Sequence, residues 1–248
     1  MATDNEPLRT PISAEAQRIV LLYAVLAGLT RLIPIPWLDD ITLGVVSRRM
    51  VRVLLAERGL TASAPQVNRL SRERVGCPLS ILWALLIAPL KKLVRTVVFV
   101  LAFKTCVDLS ARWLHRGYLL AVAIASGRLD TEALARDGGV WPVALAIEES
   151  IIGKDTSPIN QLVRSIFTVS PALLRKAARD LGRLVRPNRR SEDTAAEALA
   201  AAEHDEEEAL STILKPLSDG FWSQDAYLAE LEALFFERLE QTSARMLS

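Results

Sequence analysis

Apolar positions recur at the 3.6-residue period of helices along most of the chain, and the sequence predicts an all-α protein. A first helix is expected over 13–33, opened near Ile12-Ser13 and stopped by Pro34. Pro34 and Pro36 make 33–37 an extended elbow, because a residue preceding proline avoids the helical region. Asp39 or Asp40 is expected to cap a second helix that ends at Gly59. On that helix Leu43, Val46, Met50, Val53 and Leu54 share one arc, and Arg48, Arg49 and Arg52 lie opposite. Ser63-Ala64-Pro65 opens a short helix carrying Arg69, Arg72 and Arg74.

The longest uncharged run, 75–90, contains Gly76, Pro78 and Pro89 and leads directly into Lys91, Lys92 and Arg95. As a membrane span, 76–103 would place three cations near the bilayer centre, at a cost of about 8–10 kcal/mol. The twenty residues of 19–38 carry one charge, Arg31, but Pro34 and Pro36 leave about fifteen for a helix, short of a span. A packed core, or a helix lying on a bilayer surface, is the expected reading of both segments. Further on, Asp108 is placed to pair with Lys104 or Arg112 at helical spacing. Separate helices are expected over 117–126, 131–136 and 141–152, then to about 169 and 185, with Ser157-Pro158 and Ser170-Pro171 opening the last two.

The segment 186–194 reads as a linker that joins a helical body, 12–185, to an acidic helical appendage, 195–248. Residues 1–11 read as a flexible N-terminus. A turn is expected at 216–220. The last helix carries an apolar stripe, Tyr227, Leu231, Leu234, Phe235 and Leu239 with Leu228, suited to docking on the body, a second copy or another protein.

Charge sharpens this division. The whole chain is near neutral, at +1, yet 41–116 has 13 basic and 3 acidic residues while 191–248 has 3 basic and 14 acidic. A basic middle can meet an anionic membrane, nucleic acid or the chain's own tail. The residues expected to do so are Arg48, Arg49, Arg52, Arg69, Arg72, Arg74, Lys91, Lys92 and Arg95. The stripe on the tail predicts docking held mainly by apolar contact, because charge alone is screened over about 8 Å at physiological salt. With half its residues apolar the chain has a core to bury. Two cysteines, Cys77 and Cys106, point to free thiols in a reducing compartment, and the acidic start, with Asp4 and Glu6, does not resemble a secretory signal.

Motifs for catalysis are missing from the sequence: no phosphate-binding glycine loop, no nucleophile elbow and no HExxH. His204, Glu207 and Glu208 share a helical face but lack a second His-bearing helix, so a solvated acidic surface is expected and no metal or cofactor. Asp39 and Asp40 are read as helix-capping rather than catalytic.

The segment 24–60, above all Ile33-Pro34-Ile35-Pro36-Trp37-Leu38-Asp39, resembles the YcjF-like bacterial helical proteins that accompany Ras-like GTPases at membranes. The family pattern often has Gly where Trp37 stands. The resemblance implies membrane association and a GTPase partner. Taken together, the expectation is a non-enzymatic scaffold or adaptor at the cytoplasmic face of the inner membrane, peripheral or embedded, using its basic region against anionic lipid. The alternatives are a soluble helical protein-interaction module, self-association included, and, less favoured, a nucleic-acid binder, which would want stacking aromatics among the cations.

Overall fold

The computed structural model describes residues 9–33, 38–72, 94–185 and 192–247. Among these there are ten α-helices and no strand. The elbow prolines Pro34 and Pro36, the run 75–90 with Cys77, and Arg74, Lys91 and Lys92 lie outside the described residues, as does most of the 186–194 linker.

At the centre lies α1 (Ala14–Leu29), followed by a 3-10 turn, Thr30–Leu32. Every residue from Ile19 to Leu29 is buried. A helix apolar on all sides must be surrounded, and α1 is enclosed by α2 (Leu38–Glu57), α4 (Val94–Ala125), α8 (Pro171–Val185) and α9 (Glu192–Trp222). Ser13 caps α1, its hydroxyl accepting from the Ala16 amide at 3.0 Å. This helix is therefore the hydrophobic axis of the bundle.

Helices α1 and α4 run antiparallel. Gly28 faces Cys106 and Ser110, while Val20 faces Gly117. The approach is close enough that a Cβ on Gly28 would stand 2.7 Å from the Cys106 carbonyl oxygen. The sequence reading divided α4 near Gly117. Instead, 32 residues form one helix, about 48 Å long, because Gly117 is a packing site at which α1 and α2 both reach α4. Gly59 and Gly127, by contrast, do end helices, at φ +68° and +71°.

The remaining helices close the bundle. The short α3 (Ala64–Ser71) lies on α2 and on α6 (Trp141–Gly153), and α5 (Thr131–Ala135) follows an Asp130 cap. Helix α7 (Ser157–Phe167) packs on α4 and α9. Its first amide, that of Ser157, donates to Asp155, so Asp155 and not Ser157 provides the side-chain acceptor there.

The acidic helices α9 and α10 (Asp225–Leu247) share the body's core. Leu199, Leu210, Ile213, Leu217 and Phe221 of α9 are buried, as are Leu228, Leu231, Phe235 and Leu239 of α10. Tyr227 and Leu234 are half-buried, and α10 lies chiefly on α6. The turn expected at 216–220 is not there. Pro216 sits inside α9, and the chain turns at Ser223-Gln224. Both Pro216 and Thr212, whose carbonyl the proline cannot satisfy, are exposed, so water can serve that carbonyl.

Candidate functional site

The basic residues expected to form one surface separate into groups with different surroundings. On α2, Arg49 turns towards the acidic helix α9 and pairs with Glu203 at 3.5 Å. The Tyr23 hydroxyl donates to the same carboxylate. Burial pushes the Glu203 carboxyl up and the Arg49 guanidinium down from their usual ranges. Next to them, Arg18 pairs with Glu15 and with Glu207. The α9 acids thus cover one edge of the basic helix. Arg48 folds over Gly44, and Arg52 is half-exposed. Arg48, Arg49 and Arg52 therefore do not present a single open face.

On α3, the Arg69 guanidinium lies over the Trp141 ring. Arg72 is exposed, and its carbonyl accepts from Arg116 at 2.8 Å. Arg95 belongs to α4, its side chain outside the described residues. Asp39 and Asp40 occupy the first turn of α2 and both bond to Arg31, at 2.9 and 3.0 Å. They are therefore first-turn acids that favour the helix dipole and clamp the elbow, rather than residues at the cap position. Arg112 pairs with Glu148 at 2.8 Å, across to α6.

Inside the bundle, α4 carries three polar side chains, His115, Arg116 and Tyr118, within one buried stretch. Arg116 gives Nη1 to Glu148 at 2.6 Å, Nε and Nη2 to the Leu70 carbonyl, and Nη2 also to that of Arg72. It thereby closes the C-terminal end of α3, beside a cavity of about 40 Å³ lined by Arg69, Arg72, Leu145 and Glu148. His115 is buried; its Nδ1 donates to the Ala111 carbonyl, which leaves Nε2 to accept from the Tyr227 hydroxyl at 2.6 Å. Burial pulls its pKa down to about 4. Tyr118 donates to Glu232, which also accepts from the Thr10 amide. Each of these groups has protein partners and ties α4 to another segment, which is structural work. Among the described residues no cluster of three or more His, Cys, Asp or Glu is arranged to hold a metal. Burial raises the Cys106 thiol to about 12, so it stays protonated.

What the sequence did not reveal lies at one end of the bundle. Val100 and Leu101 of α4 are 59% and 54% exposed, and Ile41 of α2 is 43% exposed. Since Cys106 is already level with Gly28, the first turns of α4 run past the end of α1. The 3-10 turn that finishes α1 packs against both α2 and α4, which brings Ile41 to this same end. Lys104, also exposed, adds a cation. Read as sequence, Val100 and Leu101 belong to an apolar run that fits a packed core or a helix on a bilayer surface equally; among the described residues, the length of α4 relative to α1 is what leaves them exposed. Among the described residues, no helix is long and apolar enough to cross a membrane.

Comparison of the chain with protein-family models, with curated proteins and with solved structures finds no match.

Proposed function

We propose that this chain is a membrane-associated helical scaffold or adaptor that sets one end of its bundle on an anionic bilayer. The observation that carries the reading is the pair of exposed apolar residues, Val100 and Leu101, on the overrunning end of a helix that is buried over most of 109–124. In sequence this end continues from the apolar run 75–90 and the cations Lys91, Lys92 and Arg95, with Lys104 just beyond. Apolar side chains that enter the headgroup layer, flanked by cations that meet lipid phosphates, are the chemistry of a helix at a membrane interface. Each cation near an anionic surface contributes about 1 kcal/mol. The basic face of α2, partly covered by α9, is the lesser contributor.

Vesicle sedimentation tests the reading. The full chain should pellet with vesicles containing phosphatidylserine and should bind pure phosphatidylcholine much more weakly. Val100→Asp with Leu101→Asp should weaken binding about tenfold or more, since it replaces two apolar contacts of about 1.5–3 kcal/mol each at full burial. A variant that binds as well as its parent would remove the α4 end from the account.

A further inference from the structure

Helix α8 presents a second charged surface. Its buried side is Leu174, Ala177, Ala178, Leu181 and Val185. Beside and away from them Arg175, Arg179 and Arg183 recur at i, i+4 and i+8, all exposed, within an arc of about 80°. The surrounding segment 157–190 holds eight basic residues and one acid, Asp180. Asp180 does pair with Arg183, at 3.0 Å, but the Arg183 side chain remains 77% exposed, so solvent screens the pair. Lys176 stands at the edge of the row, towards the buried Glu206 of α9.

The location of this row gives it a meaning. Gly182 packs directly against Ile33, so the C-terminal end of α8 lies where α1 finishes, and the 3-10 turn there touches α2, α4 and α8. The last turn of α8 is therefore at the same end of the bundle as Ile41, Val100 and Leu101. The chain leaves α8 at that end into a segment containing Arg186, Arg189 and Arg190. At its other end α8 is preceded by Val169, an aliphatic side chain 80% exposed.

We infer that Arg175, Arg179 and Arg183 form a second anionic-lipid contact, a row along α8 that takes headgroup phosphates and whose Arg183 end reaches the end of the bundle shared with α4. The inference rests on the function proposed above. Lipid is favoured over nucleic acid by two features. Helix α8 carries no aromatic side chain on which a base could stack. Its neighbours at the shared end are exposed aliphatics, which a bilayer takes up and a nucleic acid does not.

Flotation of the full chain on phosphatidylcholine vesicles with about 30% phosphatidylserine tests it, because acidic lipid attracts each nearby cation independently. Arg175→Gln, Arg179→Gln and Arg183→Gln together should weaken binding by about ten- to a hundredfold, while the matching triple Lys variant should stay within about twofold of the parent. All three residues are exposed, so far-UV circular dichroism should be unchanged. If the parent floats and the Gln variant floats equally well, the α8 contact is refuted while the proposed function stands. If the parent itself does not float, the function falls and takes this contact with it. If the Gln variant keeps vesicle binding but loses binding to a single-stranded oligonucleotide, the row is a nucleic-acid surface and the inference is overturned.

Discussion

Arg116 shows how a charge is tolerated at the centre of this bundle. Its guanidinium is 3% exposed, and each of its three nitrogens meets an oxygen, from Glu148, Leu70 or Arg72. Replacing Glu148 with Ala would take this carboxylate from the guanidinium, and breaking such a buried pair costs about 3–5 kcal/mol. Urea denaturation should show this loss; a cost below about 1 kcal/mol would mean that the carbonyls alone satisfy Arg116. His115 makes a different prediction. Its folded pKa, about 4, lies below the 6.5 of an unfolded chain, so between these values the unfolded state binds more protons. The stability it contributes is complete above pH 6.5 and is lost as pH falls towards 4, by about 3 kcal/mol in all. The raised carboxyls of Glu203 and Glu206 act in the opposite sense, so the comparison must be with His115→Gln. The parent should lose more stability than this variant between pH 6.5 and 4; parallel curves would show that His115 is not held neutral.

At the scale of elements, helix ends were legible where a local signal decides them. Ser13 accepts its capping bond, and Gly59 and Gly127 take the left-handed conformation that closes a helix. The same residue types misled where tertiary packing decides. Gly117 looks like a break but is a close approach, and Pro216 looks like a turn but stays inside a helix whose buried residues flank it. A sequence does not distinguish a glycine that ends a helix from one that lets a neighbour in. Pro216 still carries a local cost, since it blocks a hydrogen bond and is disfavoured by about 3 kcal/mol against Ala in a helix interior. Pro216→Ala should therefore raise thermal stability by about 1–3 kcal/mol. A loss instead would mean that α9 relies on the proline where it packs on α8 and α7.

Over the whole molecule, the opposition of basic middle and acidic tail is partly internal. Glu203 answers Arg49 of the basic middle, Glu207 answers Arg18 of α1, and the apolar faces of α9 and α10 complete the core. Of the stripe expected on the last helix, Leu231, Phe235 and Leu239 are buried with Leu228, and Tyr227 and Leu234 are half-buried, at the helical spacing the sequence shows. The partner of Arg49, 154 positions away, was not legible, since nothing local joins the two. Nor was the exposed end, which exists only because α4 outruns the helix beside it. The membrane-facing account makes that end its central claim, and a reporter placed there tests it directly. An environment-sensitive fluorophore on Leu101→Cys, with Cys77→Ser so that the buried Cys106 is the one native thiol left, should shift to the blue when vesicles containing phosphatidylserine are added. The same label on Ile152→Cys, an exposed residue at the end of α6, should not change. Silence at 101, or equal shifts at both positions, would contradict the account.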